Sequence, residues 1–143
     1  MTEPQSASPP LVGIVVVSHS RQLADGIVEL AAQMAGDDVA LEAVGGAADG
    51  SLGTDADAIA AAIRRADRGA GVVVLGDLGS AILATRTAIE GLGSEVRGPV
   101  IIADAPVVEG AVVAAVQASI GQPIDDVRAA AAEARAMDKG VPA

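Results

Sequence analysis

The chain contains no cysteine and no Phe, Trp or Tyr. Without cysteine it cannot form zinc ribbons, iron–sulfur clusters, thiol nucleophiles or disulfide frameworks. Without aromatic rings it has no base-stacking platform, no flat shelf for a sugar and no cation–π cage. Positive charge is scarce as well: 9 Lys+Arg stand against 19 Asp+Glu, a net charge of −10. Such a surface repels phosphate backbones and anionic lipid, so neither nucleic acid nor a membrane is expected as a partner. One histidine among scattered acids has no ligand spacing for a metal, and no cofactor is expected. No stretch approaches the ~20 apolar residues of a membrane span, and the first ten residues carry no basic n-region, so the expected location is cytoplasmic.

What remains is an aliphatic chain of 143 residues, 51% hydrophobic and with 17 glycines. That suits closely packed α/β layers and not a disordered chain. The expected organisation is one domain over residues 11–138, between an unstructured N-terminal tail at 1–10 and a short C-terminal tail at 139–143. Residues 11–18 (LVGIVVVS) read as a strand buried on both faces, 39–44 as a more exposed strand, and 71–76 and 99–103 as two further strands.

Between and after them lie helical patterns. Ser20 starts the first, which carries Leu23, Ile27, Leu30 and Met34 on its apolar face and stops at Gly36. Thr54 caps the second, which runs to Arg68; Ser80 opens the third, which runs to Leu92. Pro106 takes the first position of the fourth, which ends at Ser119 or Ile120, and the last spans residues 123–137. Gly26 inside the first helix is expected to allow close packing on the sheet, since it otherwise costs ~1 kcal/mol relative to Ala.

The alternation implies an open, mainly parallel, doubly wound α/β sheet of flavodoxin-like order 2-1-3-4, with helices on both faces. Ligands of such sheets bind beyond the carboxyl ends of the strands, where the strand order reverses, here between the first and third strands. After the first strand comes Ser18-His19-Ser20-Arg21; after the third comes Asp77-Leu78-Gly79-Ser80. A carboxylate facing a histidine can hold one ring N–H and leave the other nitrogen basic and nucleophilic. Helices that begin at Ser20, Thr54 and Ser80 offer open N–H groups to an anion, and the three hydroxyls double as caps. A nucleophilic imidazole in a phosphate cradle is a histidine phosphoryl carrier. A Ser-His-Asp hydrolase is the chemical rival, but no GxSxG elbow follows a strand, and neither Ser18 nor Ser20 is a natural partner for the adjacent imidazole. The Gly-rich loop at 45–53 has no nucleotide-binding pattern, and Asp104 and Glu109 read as dipole partners of the fourth helix.

The segments VVVSHSRQLADGIVELAAQM, GGAADGSLGTDADAI, VVVLGDLGSAILATRTAIE and DAPVVEGAVVAAVQAS resemble the phosphotransfer subunits of phosphoenolpyruvate-dependent dihydroxyacetone kinases. The first domain of those subunits is similar to the mannose-class IIA domains of the bacterial phosphotransferase system. The resemblance spans about residues 11–127 and implies that His19 is the phosphorylated histidine with Asp77 as its carboxylate partner; with Nδ1–H oriented by Asp77, Nε2 is the nitrogen expected to attack. From the cradle of helix starts, Ser20, Thr54, Gly79 and Ser80 are the expected phosphate-binding residues, and Arg21, just after His19, is the expected docking residue. HPr is the implied donor. ADP on the nucleotide-binding kinase subunit is the implied acceptor, with dihydroxyacetone on a third subunit, and a homodimer is implied as well. Mannose-class permease domains are a poorer match, because the turn after their third strand carries Gly-Gly-Ser-Pro where this chain has Leu78-Gly79-Ser80-Ala81. A sugar-permease IIA component and a non-catalytic regulatory module are the alternatives. Related chains carry HPr-like and enzyme-I-like domains downstream, so with the sequence ending at Ala143 the donor is expected to be a separate protein.

Overall fold

The computed structural model describes residues 8–143; residues 1–7 of the expected N-terminal tail lie outside the described part. Four strands form one all-parallel sheet: β1 (Gly13–Ser18), β2 (Leu41–Gly45), β3 (Val72–Gly76) and β4 (Val100–Ile102), in the order β2-β1-β3-β4. Five helices complete the fold: α1 (Arg21–Ala35), α2 (Ala56–Ala66), α3 (Gly79–Leu92), α4 (Val107–Ser119) and α5 (Ile124–Glu133). The expected 2-1-3-4 order holds, and the sheet, expected to be mainly parallel, is parallel throughout.

Side-chain alternation along the two central strands builds the layers. Ile14 and Val16 of β1, with Val73 and Leu75 of β3, join Ile27 of α1, Ala111 and Ala114 of α4 and Val127 of α5 in one core. Val15, Val17, Val72 and Val74 point the other way and pack with Ile59 and Ile63 of α2 and Ala81 and Ala88 of α3. Both faces of the sheet are therefore covered, which is why these strands read as unbroken apolar runs. Each of the fully buried valines and isoleucines contributes roughly 1.5–3 kcal/mol through removal from water. The register sets Val17 of β1 beside Val44 of β2 and Gly76 of β3, so Ser18 and Asp77, each one residue further along, emerge at one sheet end.

Several local expectations need correction. The outer residues Leu23, Leu30 and Met34 of α1 are exposed, and the helix buries Ala24, Ile27 and Ala31 instead. At ~100° per residue the buried stripe is rotated roughly 75° from the leucine stripe, because small alanines let the helix approach its neighbours closely. Helix α2 is capped by Asp55, not Thr54; the Asp55 carboxylate accepts from the N–H groups of Asp57 and Ala58. That helix ends at Ala66, two residues before Arg68. Helix α3 begins one residue before Ser80, at Gly79, with Leu78 at its N-cap. Pro106 is the N-cap of α4 and not its first residue, and α5 gives way after Glu133 to a 3-10 turn at Ala134–Ala136. Glu109 lies in the first turn of α4 and pairs with Lys139 at 2.7 Å, while Asp104 pairs with Arg135 at 3.1 Å.

Two glycines carry opposite messages. A Cβ on Gly45 would stand 2.5 Å from the Ser20 carbonyl oxygen and 2.6 Å from Arg21 Cα, so its bareness lets the entry to α1 rest on the end of β2. Gly45→Ala is expected to cost about 1–3 kcal/mol, seen as a lower Tm in thermal melts. Gly26 was expected to serve close packing, yet a Cβ there would meet nothing within 4 Å. Gly26→Ala should therefore stabilise the protein by about 0.4–1 kcal/mol, through better helix propensity and a less free unfolded chain.

Candidate active site

Where β1 ends, Ser18 is fully buried and His19 turns out toward solvent. Where β3 ends, Asp77 sits directly opposite. The His19 ring Nδ1 lies 2.9 Å from Asp77 Oδ1, and the side chains are 24% and 12% exposed. An ionised carboxylate only accepts hydrogen bonds, so Nδ1 carries the ring proton and Nε2 keeps a free lone pair. That lone pair accepts from the Ser80 hydroxyl, on the first turn of α3. Nε2 thus faces α3 and Nδ1 faces the carboxylate at the end of β3.

Asp77 is held by four donors. Oδ1 accepts from the His19 ring and from the Leu78 N–H at 2.8 Å; Oδ2 accepts from the His19 N–H at 3.0 Å and the Ser18 hydroxyl at 2.8 Å. Burial alone would push this carboxyl up. The hydrogen bonds from the His19 N–H, the His19 ring, Ser18 and Leu78 outweigh it and hold the group below its ordinary carboxylate range. The site therefore presents a stably ionised carboxylate behind the imidazole.

The remaining expected residues take up distinct places. Ser20 caps α1, its hydroxyl oxygen accepting from the Leu23 N–H at 3.2 Å. Thr54 follows Gly53, whose N–H donates to the His19 carbonyl at 2.9 Å, so the loop after β2 closes over the histidine backbone. The Thr54 hydroxyl itself makes no hydrogen bond among the described residues, and Thr54 is brought near the site by its backbone and not as a cap. Gly79 and Ser80 open α3, which has no side-chain cap, so the first-turn N–H groups beside Nε2 have no side-chain acceptor. Arg21 begins α1, is exposed and forms no ion pair among the described residues.

Three features escaped the sequence reading. Ser18 was set aside as a partner for the imidazole, and it bonds the carboxylate instead. Leu52 and Leu78, 79% and 63% exposed, stand in the two loops that meet at His19, where a single apolar residue in a polar loop gives no pattern to read. A cleft of about 420 Å³ adjoins the site, with Asp77, Leu78 and Gly79 on one side, Asp104 and Ala105 on the other and the exposed Arg86 along α3. Arg86 is the one basic residue of α3 and had no spacing to mark it.

No helix among the described residues is long and apolar enough to cross a membrane. Residues 13–128 match the EIIA-man family model, described as the PTS system fructose IIA component. The phosphoryl donor subunit DhaM of PEP-dependent dihydroxyacetone kinase 2 from Listeria innocua is 42% identical over 110 residues, covering 77% of this chain and 88% of that protein. The corresponding DhaM subunit of Escherichia coli K12 is 39% identical over 120 residues, covering 82% of this chain but only 25% of that longer protein. Among solved structures, the crystal structure of unknown function protein EF1359 aligns with a TM-score of 0.77 at 34% identity, covering 92% of this chain and 99% of that one. With most of its length matched by the family model and by relatives of this identity, the chain belongs to the EIIA-man family of phosphotransferase-system IIA components.

Proposed function

We propose that this protein is a histidine phosphoryl carrier that takes a phosphoryl group from phospho-HPr and passes it to ADP held on the nucleotide-binding subunit of a dihydroxyacetone kinase. The observation that carries the reading is the His19 ring, with Nδ1 bound to Asp77 and Nε2 facing α3. The relatives named as phosphoryl donor subunits of dihydroxyacetone kinases favour this acceptor over a sugar permease.

In the first transfer the Nε2 lone pair attacks phosphorus. The Nε2–P bond forms as the bond to the donor breaks, and the departing pair stays on the donor. Asp77 stabilises the cationic ring that results, since Nδ1 keeps its proton throughout. In the second transfer a terminal phosphate oxygen of ADP attacks, the P–Nε2 bond breaks, and its pair returns to the ring, which regains the starting state. The Ser80 hydroxyl, now opposite Nε2, turns to the phosphoryl oxygens with the open N–H groups of α3, while Ser20 and Thr54 border the same space. Little covalent work falls to the protein; positioning and charge do the rest.

Both partners have to approach Nε2 across the rim formed by Leu52, Leu78 and Arg21. Arg21 answers the negative charge that the phosphoryl group adds to an acidic chain. Transfer is therefore expected to slow as salt rises, because exposed pairs are screened over ~8 Å at physiological ionic strength. Arg21→Glu should slow ADP-dependent dephosphorylation while leaving the Tm nearly unchanged. The test is to mix purified phosphorylated protein with the nucleotide-binding kinase subunit, with and without ADP, and to follow the label. Loss of label that requires ADP supports the proposal. Label that stays with ADP present, but leaves for a mannose-class permease domain, overturns the acceptor.

A further inference from the structure

Beyond His19 and Asp77, the structure holds one buried polar side chain in contact with the pair. Ser18 is 0% exposed, at the last position of β1. Its hydroxyl donates to Asp77 Oδ2 at 2.8 Å, and its oxygen accepts from the Ser20 N–H at 3.0 Å. Among the described residues Thr85 is the other buried polar residue, and its hydroxyl is spent on the Ala81 carbonyl within α3. Ser18 alone is therefore fixed at both ends to parts of the site.

We propose that Ser18 is a positioning residue that tightens the Asp77 carboxylate in the rotation its backbone donors set, and through it holds the tautomer and orientation of the His19 ring. The inference rests on the phosphocarrier reading and adds a part to it.

Asp77 Oδ2 has two donors, and the other is the His19 backbone N–H at 3.0 Å. On the other side Oδ1 is held by the Leu78 N–H at 2.8 Å as well as by the ring, so each oxygen has one backbone anchor and Oδ2 has the longer one. The Ser18 hydroxyl, rigid because its own oxygen is held by the Ser20 N–H, gives Oδ2 a second and shorter anchor and narrows the swing that remains. Oδ1 is then aimed at Nδ1. Ser18 cannot itself reach the reacting nitrogen, since Nε2 lies on the far side of the ring, against Ser80. Its influence on transfer has to pass through the carboxylate. The Ser20 N–H belongs to the N-cap residue of α1, so the same hydroxyl also ties the helix start to the carboxylate.

A change of Ser18 to Ala removes one donor to Oδ2 and leaves the half-buried Ser20 N–H without its side-chain acceptor. The carboxylate loosens, and the Nε2–H tautomer, which free imidazole prefers and which cannot attack, gains population. The transfer rate from phospho-HPr should fall about 10–100-fold, the range seen when outer hydrogen-bond partners of ligating histidines are removed. Ser18→Thr keeps the hydroxyl and should recover much of the rate.

The experiment uses the full chain, labelled with ¹⁵N. His19 is the sole histidine, so long-range ¹H–¹⁵N spectra contain one imidazole and report its tautomer directly. Expected are an Nδ1–H ring in the wild type and in Ser18→Thr, and a raised Nε2–H fraction with slower phosphoryl uptake in Ser18→Ala. A Ser18→Ala protein that folds, as judged by its melt, and shows the wild-type tautomer at the wild-type transfer rate overturns the proposal. If Ser18→Ala does not fold, Ser18→Cys keeps the volume with a weaker donor, and the same unchanged spectrum and rate would overturn it. Failure of the phosphocarrier reading looks different, because the wild type itself would then take up no phosphoryl group from HPr.

Discussion

A His19→Ala protein incubated with phosphoenolpyruvate, enzyme I and HPr is expected to take up no phosphoryl group. The wild type should gain one per chain, because it has one histidine. The bond should break in acid and survive base, as a phosphoramidate does and a phosphoserine does not. The expected effect is total, since no other side chain near the switch point carries a comparable nucleophile. Ser80 is the nearest alternative, and its hydroxyl serves as a donor to Nε2. Label on His19→Ala, or acid-stable label on the wild type, would move the chemistry to a serine. Stability is a useful control: the ring is partly exposed and its loss removes little packing, so the melt should change far less than the uptake.

Asp77→Asn is expected to slow transfer by on the order of 10²–10⁴ while the protein stays folded. The amide keeps the shape of the carboxylate but loses its charge. If its NH₂ faces the ring, Nδ1 must accept, the proton moves to Nε2 and the nucleophile is gone. If its oxygen faces the ring, the tautomer survives and the cationic phosphorylated ring loses its counter-charge. Single-turnover transfer from phospho-HPr measures the effect, and an Asn variant with the wild-type rate would show that the carboxylate has no part in catalysis.

The same substitution changes how stability depends on pH. Asp77 is held below its ordinary range, because its hydrogen bonds from His19, Ser18 and Leu78 outweigh the upward push of burial. Its contribution is therefore present above the carboxyl's unfolded-state value and is lost as pH falls through the lower, folded-state value. The gap in Tm between wild type and Asp77→Asn should close on acidification through that window. A gap that widened instead would contradict the hydrogen bonds seen around the carboxylate.

The sheet was readable because β1 and β3 are buried on both faces and the physics leaves such strands little choice of residue. Val15 and Val17 pack on one side while Ile14 and Val16 pack on the other, and the apolar run records both layers at once. Parallel order and right-handed crossovers then fixed where His19 and Asp77 had to emerge. Helix ends were less readable, because neighbouring residues competed for each cap. Thr54 and Asp55 are both good N-caps, and the carboxylate won with two N–H groups. The α1 stripe misled for a different reason. Periodicity shows which residues share a face but not which face the tertiary contacts bury, and the alanines Ala24 and Ala31 decided that. Ser18 was hidden by its strand position: a serine closing a buried strand reads as a boundary, and its bond to Asp77 crosses fifty-nine residues of sequence.

The central claim is that Asp77 holds Nδ1–H so that Nε2 takes the phosphoryl group. The most direct measurement is ³¹P and long-range ¹H–¹⁵N NMR on the phosphorylated, ¹⁵N-labelled wild type, in which a single imidazole appears. The account predicts phosphorus bonded to Nε2 with the proton retained on Nδ1. Phosphorus found on Nδ1, or on an oxygen atom, would contradict it.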